Sequence, residues 1–138
     1  MQSVTRIGAS IDRRLLARFD KLSRRQGFPN RSQALSHLLR EKLIEEEVEG
    51  RGEVVGTVTL VYSHHASDVL ARLTRLQHHS HSRVVSSTHV HLDEENCLEI
   101  VILRGRAAEV RNLGERMIST RGVKSGRRVL TTTGKSIP

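Results

Sequence analysis

The chain of 138 residues has a single cysteine, Cys97, one tyrosine, two phenylalanines and no tryptophan. One cysteine excludes an intramolecular disulfide and favours a reducing compartment. An aromatic content of 2% removes the stacking platforms that single-stranded nucleic acid requires, so the core must rest on Leu, Ile and Val. No stretch approaches the ~20 consecutive apolar residues that span a bilayer. The opening MQSVTRIGAS has no apolar run of signal-peptide length. The expected location is cytoplasmic, with no membrane partner.

Positive charge is abundant. The formal net charge is +8 and the isoelectric point is about 10.9, a balance that favours an acidic partner such as nucleic acid. Basic residues dominate positions 1–42, and the run Glu45, Glu46, Glu47, Glu49 then reverses the sign.

Thr5–Ile11 alternates Ile7, Ala9 and Ile11 with Arg6, Gly8 and Ser10, the two-residue period of a strand. A helix follows over Asp12–Gln26, with Asp12 as N-cap, Leu15, Phe19 and Leu22 on one face, and Gly27 and Pro29 as its stop. A second helix begins at Asn30, with Gln33 three residues on. One strand and two helices cannot close a core. Pairing the strand with its equivalent in a second chain makes a ribbon-helix-helix domain, whose β-ribbon enters the DNA major groove. Arg6 would then reach guanine, Ser10 a base edge or phosphate, and Gly8 would permit close approach. Backbone N–H groups opening the second helix, with Arg31 and Ser32, would hold a phosphate.

Val48-Glu49-Gly50-Arg51-Gly52 marks a boundary. The expected organisation is a DNA-binding domain over 1–48, a linker over 49–53, a second domain over 54–133 and a tail over 134–138. The second domain reads as strand Val54–Tyr62, helix His65–Gln77, strands Val84–Leu92 and Cys97–Leu103, helix Arg106–Thr120 and strand Val123–Thr133. That order, βαββαβ, is the ferredoxin-like plan, an antiparallel sheet with helices on one face. The fold class is α+β, and the uncovered sheet face calls for association.

All eight histidines except His37 lie between positions 64 and 91. The informative spacing is His78-x10-His89-x-His91-x5-Cys97. His89 and His91 share one face of a strand. With a loop over 92–96, Cys97 stands opposite His91. A fourth ligand is either water, giving an open catalytic-type site, or His78 from the same chain or a neighbour. Planar geometry would favour Ni(II) or Cu(II), and tetrahedral geometry Zn(II). His79 and His81 read as helix-end or solvated residues, and His64 and His65 as a helix start. Glu99, on the parity of Cys97, is the one water-activating base a metallohydrolase would have, and reads better as a support for a ligand.

The segments RIGASID, GFPNRSQA, QHHSH, STHVHLDEENCLEI and RGVKSG…TTTG, in this order over nearly the whole chain, resemble the nickel-responsive regulator family, NikR. The resemblance implies a ribbon-helix-helix domain followed by an ACT-type ferredoxin-like domain, and a homotetramer built as a dimer of dimers. It implies one planar Ni(II) per chain, held by His89, His91 and Cys97 with His78 of another chain. DNA contact would run through Arg6, Gly8 and Ser10, and the chain would be a repressor, not an enzyme. The chain departs from some relatives in three places. They carry Thr where Gly8 stands, acidic residues of an interdomain cation site where Gln33 and His37 stand, and often His where Ser125 stands. The alternative is a metal-independent ribbon-helix-helix regulator whose C-terminal domain binds a protein or small ligand.

Overall fold

A computed structural model describes residues 3–66, 68–81 and 83–138. The chain divides into two compact units, Met1–Glu41 and Lys42–Pro138.

In the first unit, α1 spans Arg13–Arg25. Asp12 caps it as expected, its Oδ1 accepting from the backbone N–H groups of Arg14 and Leu15 at 2.9 Å. Gly27, at φ +85°, turns the chain out of the helix. Helix α2 starts at Arg31 and runs to Glu49, past the unit boundary. Asn30 Oδ1 accepts from the Gln33 N–H at 2.9 Å, satisfying one of the orphan donors of its first turn. Among the described residues of this unit only Ser23 and Ala34 are buried, while Leu15, Leu22, Leu38 and Leu39 are exposed. The strand expected at Thr5–Ile11 is absent: residues 3–12 have no regular structure. Among its described residues the first unit holds no strand for them to pair with, and an isolated strand cannot satisfy its backbone groups.

The second unit contains β1 (Glu53–Ser63), α3 (Val69–His79), β2 (Val84–His91), β3 (Asn96–Arg106), α4 (Ala107–Ile118) and β4 (Val123–Thr132). The sheet is antiparallel in the order β2-β3-β1-β4, so each βαβ half is split by a strand of the other, as the element order implied. Alternation decides the faces. Val54, Val58, Leu60 and Tyr62 of β1 and Val101 and Leu103 of β3 are buried against Val69 and Leu73 of α3 and Val110, Leu113 and Met117 of α4. Gly56 makes room for α4: a Cβ there would stand 2.6 Å from Val110 Cγ1. The helix expected from His65 begins only at Val69, because Ala66 and Val69 donate to the Ser63 and Ala66 carbonyls in successive turns.

Gly122 sits at φ +99° where the chain enters β4, and a Cβ there would collide with Val69. Both the backbone conformation and the space require glycine. Gly122→Ala is therefore expected to destabilise the second unit by more than ~1 kcal/mol, read as a lower urea midpoint.

Arg83 bridges to α4, its Nη2 lying 2.9 Å from Glu109 Oε1 and its Nε 3.0 Å from Oε2. The Arg83 hydrogen bond, and then its charge, hold the Glu109 carboxyl below its ordinary value of 4.5. A depressed carboxyl contributes stability above its unfolded pKa and loses it as the pH falls through the folded value. Arg83→Gln should then cost a constant increment of urea midpoint near neutrality. That increment should shrink below about pH 4.5.

Candidate metal centre

The β2–β3 hairpin is closed by Asp93, whose Oδ1 accepts from the backbone N–H groups of Glu95 at 2.8 Å and Asn96 at 2.7 Å. Hydrogen bonds from the Asn96 side chain, then from the backbone of Asn96 and Glu95, pull the Asp93 carboxyl down to about 2. This turn sets the register: His91 pairs with Cys97, and His89 with Glu99. On the other side of β3, Tyr62 pairs with Cys97 and Leu60 with Glu99. Cys97, Glu99, Tyr62, His89 and His91 consequently share the face that carries the helices.

The segment after β1 returns over this face. The His64 N–H donates to the Glu95 carbonyl at 3.0 Å, and His65 Nε2 lies 3.0 Å from the Glu94 carbonyl. These contacts place His64 Nδ1 3.1 Å from Cys97 Sγ, while His91 Nδ1 lies 3.4 Å from the same sulfur. One donor atom from each of His64, His91 and Cys97 falls within 4.8 Å of the others. Cys97 is fully buried, His64 half-buried and His91 exposed.

His89 stands beside this group, its ring centroid 5.3 Å from that of His91, and its Nδ1 lies 3.3 Å from the Tyr62 hydroxyl. Burial, and then the charges of Glu99 and Cys97, push the Tyr62 phenol up to about 12. The phenol therefore keeps its proton near neutrality and can donate it to the imidazole. His78 lies exposed in the last turn of α3, outside the three-donor group. Its predecessor Gln77 donates to both carboxylate oxygens of buried Glu99 at 3.4 and 3.3 Å, tying that turn to β3. His79 and His81 are exposed near the same helix end.

The sequence reads His64 as a helix start and a weak candidate, whereas α3 begins only at Val69 and the His64 ring lies beside the Cys97 sulfur. Its approach to sulfur depends on the pairing of β1 with β3, two strands far apart in sequence. Two imidazole nitrogens and a thiolate sulfur suit a borderline divalent transition metal and not the oxygen-seeking Mg²⁺ or Ca²⁺.

The residues expected to touch DNA lie in the first unit. Arg6, Gly8 and Ser10 are exposed in the irregular segment before α1, and beyond its chain neighbours no described atom lies within 4 Å of where a Gly8 Cβ would stand. Ser32 is exposed in the first turn of α2. Arg31 is engaged within the unit: its Nη2 lies 2.6 Å and its Nε 3.0 Å from the two Asp20 carboxylate oxygens. His37 packs its ring 5.1 Å from that of Phe28.

Comparison with known proteins agrees with this chemistry. Residues 55–131 match the family described as "NikR C terminal nickel binding domain". A Geobacter metallireducens protein named as a nickel-responsive regulator is 47% identical over 138 residues, covering 99% of both chains. Its counterpart in Solibacter usitatus is 48% identical over 135 residues, covering 97% of each. That of Thermococcus onnurineus is 44% identical over 135 residues, covering 97% of this chain and 98% of its own. An uncharacterised Thermotoga maritima protein shares the fold of 57% of this chain and 98% of its own, with a TM-score of 0.51 and 14% identity.

Nickel added to reduced, metal-free protein should produce sulfur-to-metal absorption that Cys97→Ala abolishes. His64→Ala should retain that band while weakening nickel binding by ~10–100-fold, the range for residues that orient a ligand. Unaltered affinity would remove His64 from the centre.

Proposed function

The chain belongs to the nickel-responsive regulator family, NikR, and from that premise we propose that it is a nickel-dependent repressor that binds a DNA operator as a homotetramer. It is a regulator, not an enzyme, which sets the metallohydrolase reading aside. The observation that carries the proposal is the convergence of His91 and Cys97 across the hairpin turn, in a chain similar over its whole length to nickel-responsive regulators.

In this reading His89, His91 and Cys97 of one chain hold one nickel ion per chain together with His78 of a second copy. The bound metal supplies a coordinate link between chains. Cys97 and the imidazoles must lose protons to serve as ligands, so nickel affinity falls in acid. Tyr62 orients His89, and Gln77 with Glu99 fixes the turn from which His78 projects.

The same dependence on a second copy runs through the first unit. Two strands centred on Arg6, Gly8 and Ser10 pair into a ribbon, and the exposed Leu15, Leu38 and Leu39 gain cover. Arg6 reads guanine, Ser10 a base edge or phosphate, and the opening turn of α2 at Ser32 a phosphate. Arg31, already paired with Asp20, braces that turn and adds positive charge. The partly exposed sheet face bearing Val61, Leu98 and Ile100 supports further association into a dimer of dimers. No helix of the described residues is long and apolar enough to cross a membrane, and the cytoplasm is the compartment where such a regulator meets DNA.

Metal that favours the DNA-competent arrangement raises DNA affinity, and DNA must raise metal affinity by the same factor. The test is operator selection from random duplexes, followed by titration with and without nickel. Nickel should strengthen binding by at least about tenfold, within the usual range of coupling energies, and Cys97→Ala should abolish the difference. Equal affinity in both conditions would favour the metal-independent regulator.

A further inference from the structure

A cavity of about 450 Å³ opens between α3 and α4, and its lining includes none of His64, His89, His91 and Cys97. Helix α3 contributes Arg72, Arg75 and His79, spaced three and four residues apart and hence on one face. The end of α4 and the turn after it contribute Arg116, Thr120 and Arg121. No carboxylate lines the cavity.

The contrast with other arginines of the same unit is informative. Arg83, Arg104 and Arg128 each have a carboxylate oxygen within 2.6–2.9 Å. Among the described residues, only Asp68 pairs with a cavity arginine. It lies 3.8 Å from Arg72 and is itself exposed. Four like charges are thus gathered with almost no counter-charge. A second cleft, of about 310 Å³, shares Arg72 and Arg121 with the first and is lined as well by Asp68, Val69 and Gly122, so the one acidic neighbour lies on this side and not in the main cavity. Gly122, next to Arg121, lies so close to Val69 of α3 that an added Cβ would collide with it, which brings the turn after α4 against the start of α3.

Planar guanidinium groups bind phosphate oxygens through paired N–H donors. The Thr120 hydroxyl donates its one proton to the Arg116 carbonyl at 2.8 Å, so recognition of an anion falls to the guanidinium groups. The volume suits a small molecule, and the absence of Phe, Tyr and Trp from the walls gives no platform for a base. We propose that this cavity is an anion site for adjacent phosphate groups. Their source is either a free di- or polyphosphate or successive phosphates of a nucleic-acid backbone.

The test is calorimetric titration of the intact protein with inorganic pyrophosphate at fixed ionic strength. A free-phosphate site gives saturable binding that the triple variant Arg75→Gln, Arg116→Gln, Arg121→Gln weakens at least about tenfold, through loss of charge-assisted hydrogen bonds. Arg127→Gln, whose side chain lies outside the cavity, and Cys97→Ala should both leave it unchanged. Retention in Cys97→Ala separates this site from the nickel reading. A second titration uses duplex DNA of random sequence. If pyrophosphate does not bind, but the triple variant alone flattens the salt dependence of DNA affinity, the backbone is the source. If neither titration distinguishes the triple variant from Arg127→Gln, the cavity is not an anion site.

Discussion

The antiparallel pairing of β1 with β3 runs from Glu53 opposite Arg106 to Ser63 opposite Asn96 without a slip. Because side chains alternate, a one-residue shift would turn the whole buried set of both strands to the wrong face. The same register places Tyr62 beside Cys97 and Leu60 beside Glu99. It also ends β1 where His64 can fold back onto the sulfur. Core packing and donor placement are consequences of one register, so the centre rests on the best-buried part of the molecule.

The outer strand of the centre is built differently. Every residue of β2 after Val84 is exposed, and its place is set by pairing with β3 and by the Asp93 turn. The thiol thus comes from the buried strand, and the His89 and His91 imidazoles from the exposed one. The thiol is shielded on its inner side, while His89 and His91 keep an open side from which a metal and a second chain can approach. Under the proposed function this asymmetry is what a site shared between copies requires: a donor set that is fixed within one chain yet incomplete.

Much of this was legible in the sequence because it is periodic or local. The β-branched alternation of Val54–Tyr62, the Val110, Leu113 and Met117 face of α4 and the caps at Asp12 and Asn30 each follow from a few neighbouring residues. The opposition of His91 and Cys97 needed only a turn of the right length. Contacts that depend on distant pairing were not legible. His64 meets Cys97 through the β1–β3 register, and its polar neighbours looked like a helix start. Thr5–Ile11 has a strand's alternation, but a pattern specifies which face is apolar and not where the partner strand is. Nothing in the local sequence singles out the arginines of α3 and α4, which come together only because the fold brings the two helices to one cavity.

The incompleteness of each unit has one physical origin. The first unit leaves leucines uncovered because two helices cannot bury both of their apolar faces against one another, and its N-terminal segment lacks a partner strand. The second buries one sheet face and leaves Val129 63% exposed on the other. Hydrophobic area left open on both units favours association through each. Under the proposed function, a metal site completed by another copy draws on the same encounter. If nickel is bound only where the chains are already apposed, its binding energy adds to the hydrophobic stabilisation of that apposition without creating it. Coupling between metal and DNA then requires no rearrangement of the ligand hairpin. It requires only that the arrangement nickel stabilises be the one in which the N-terminal ribbons can reach their half-sites together.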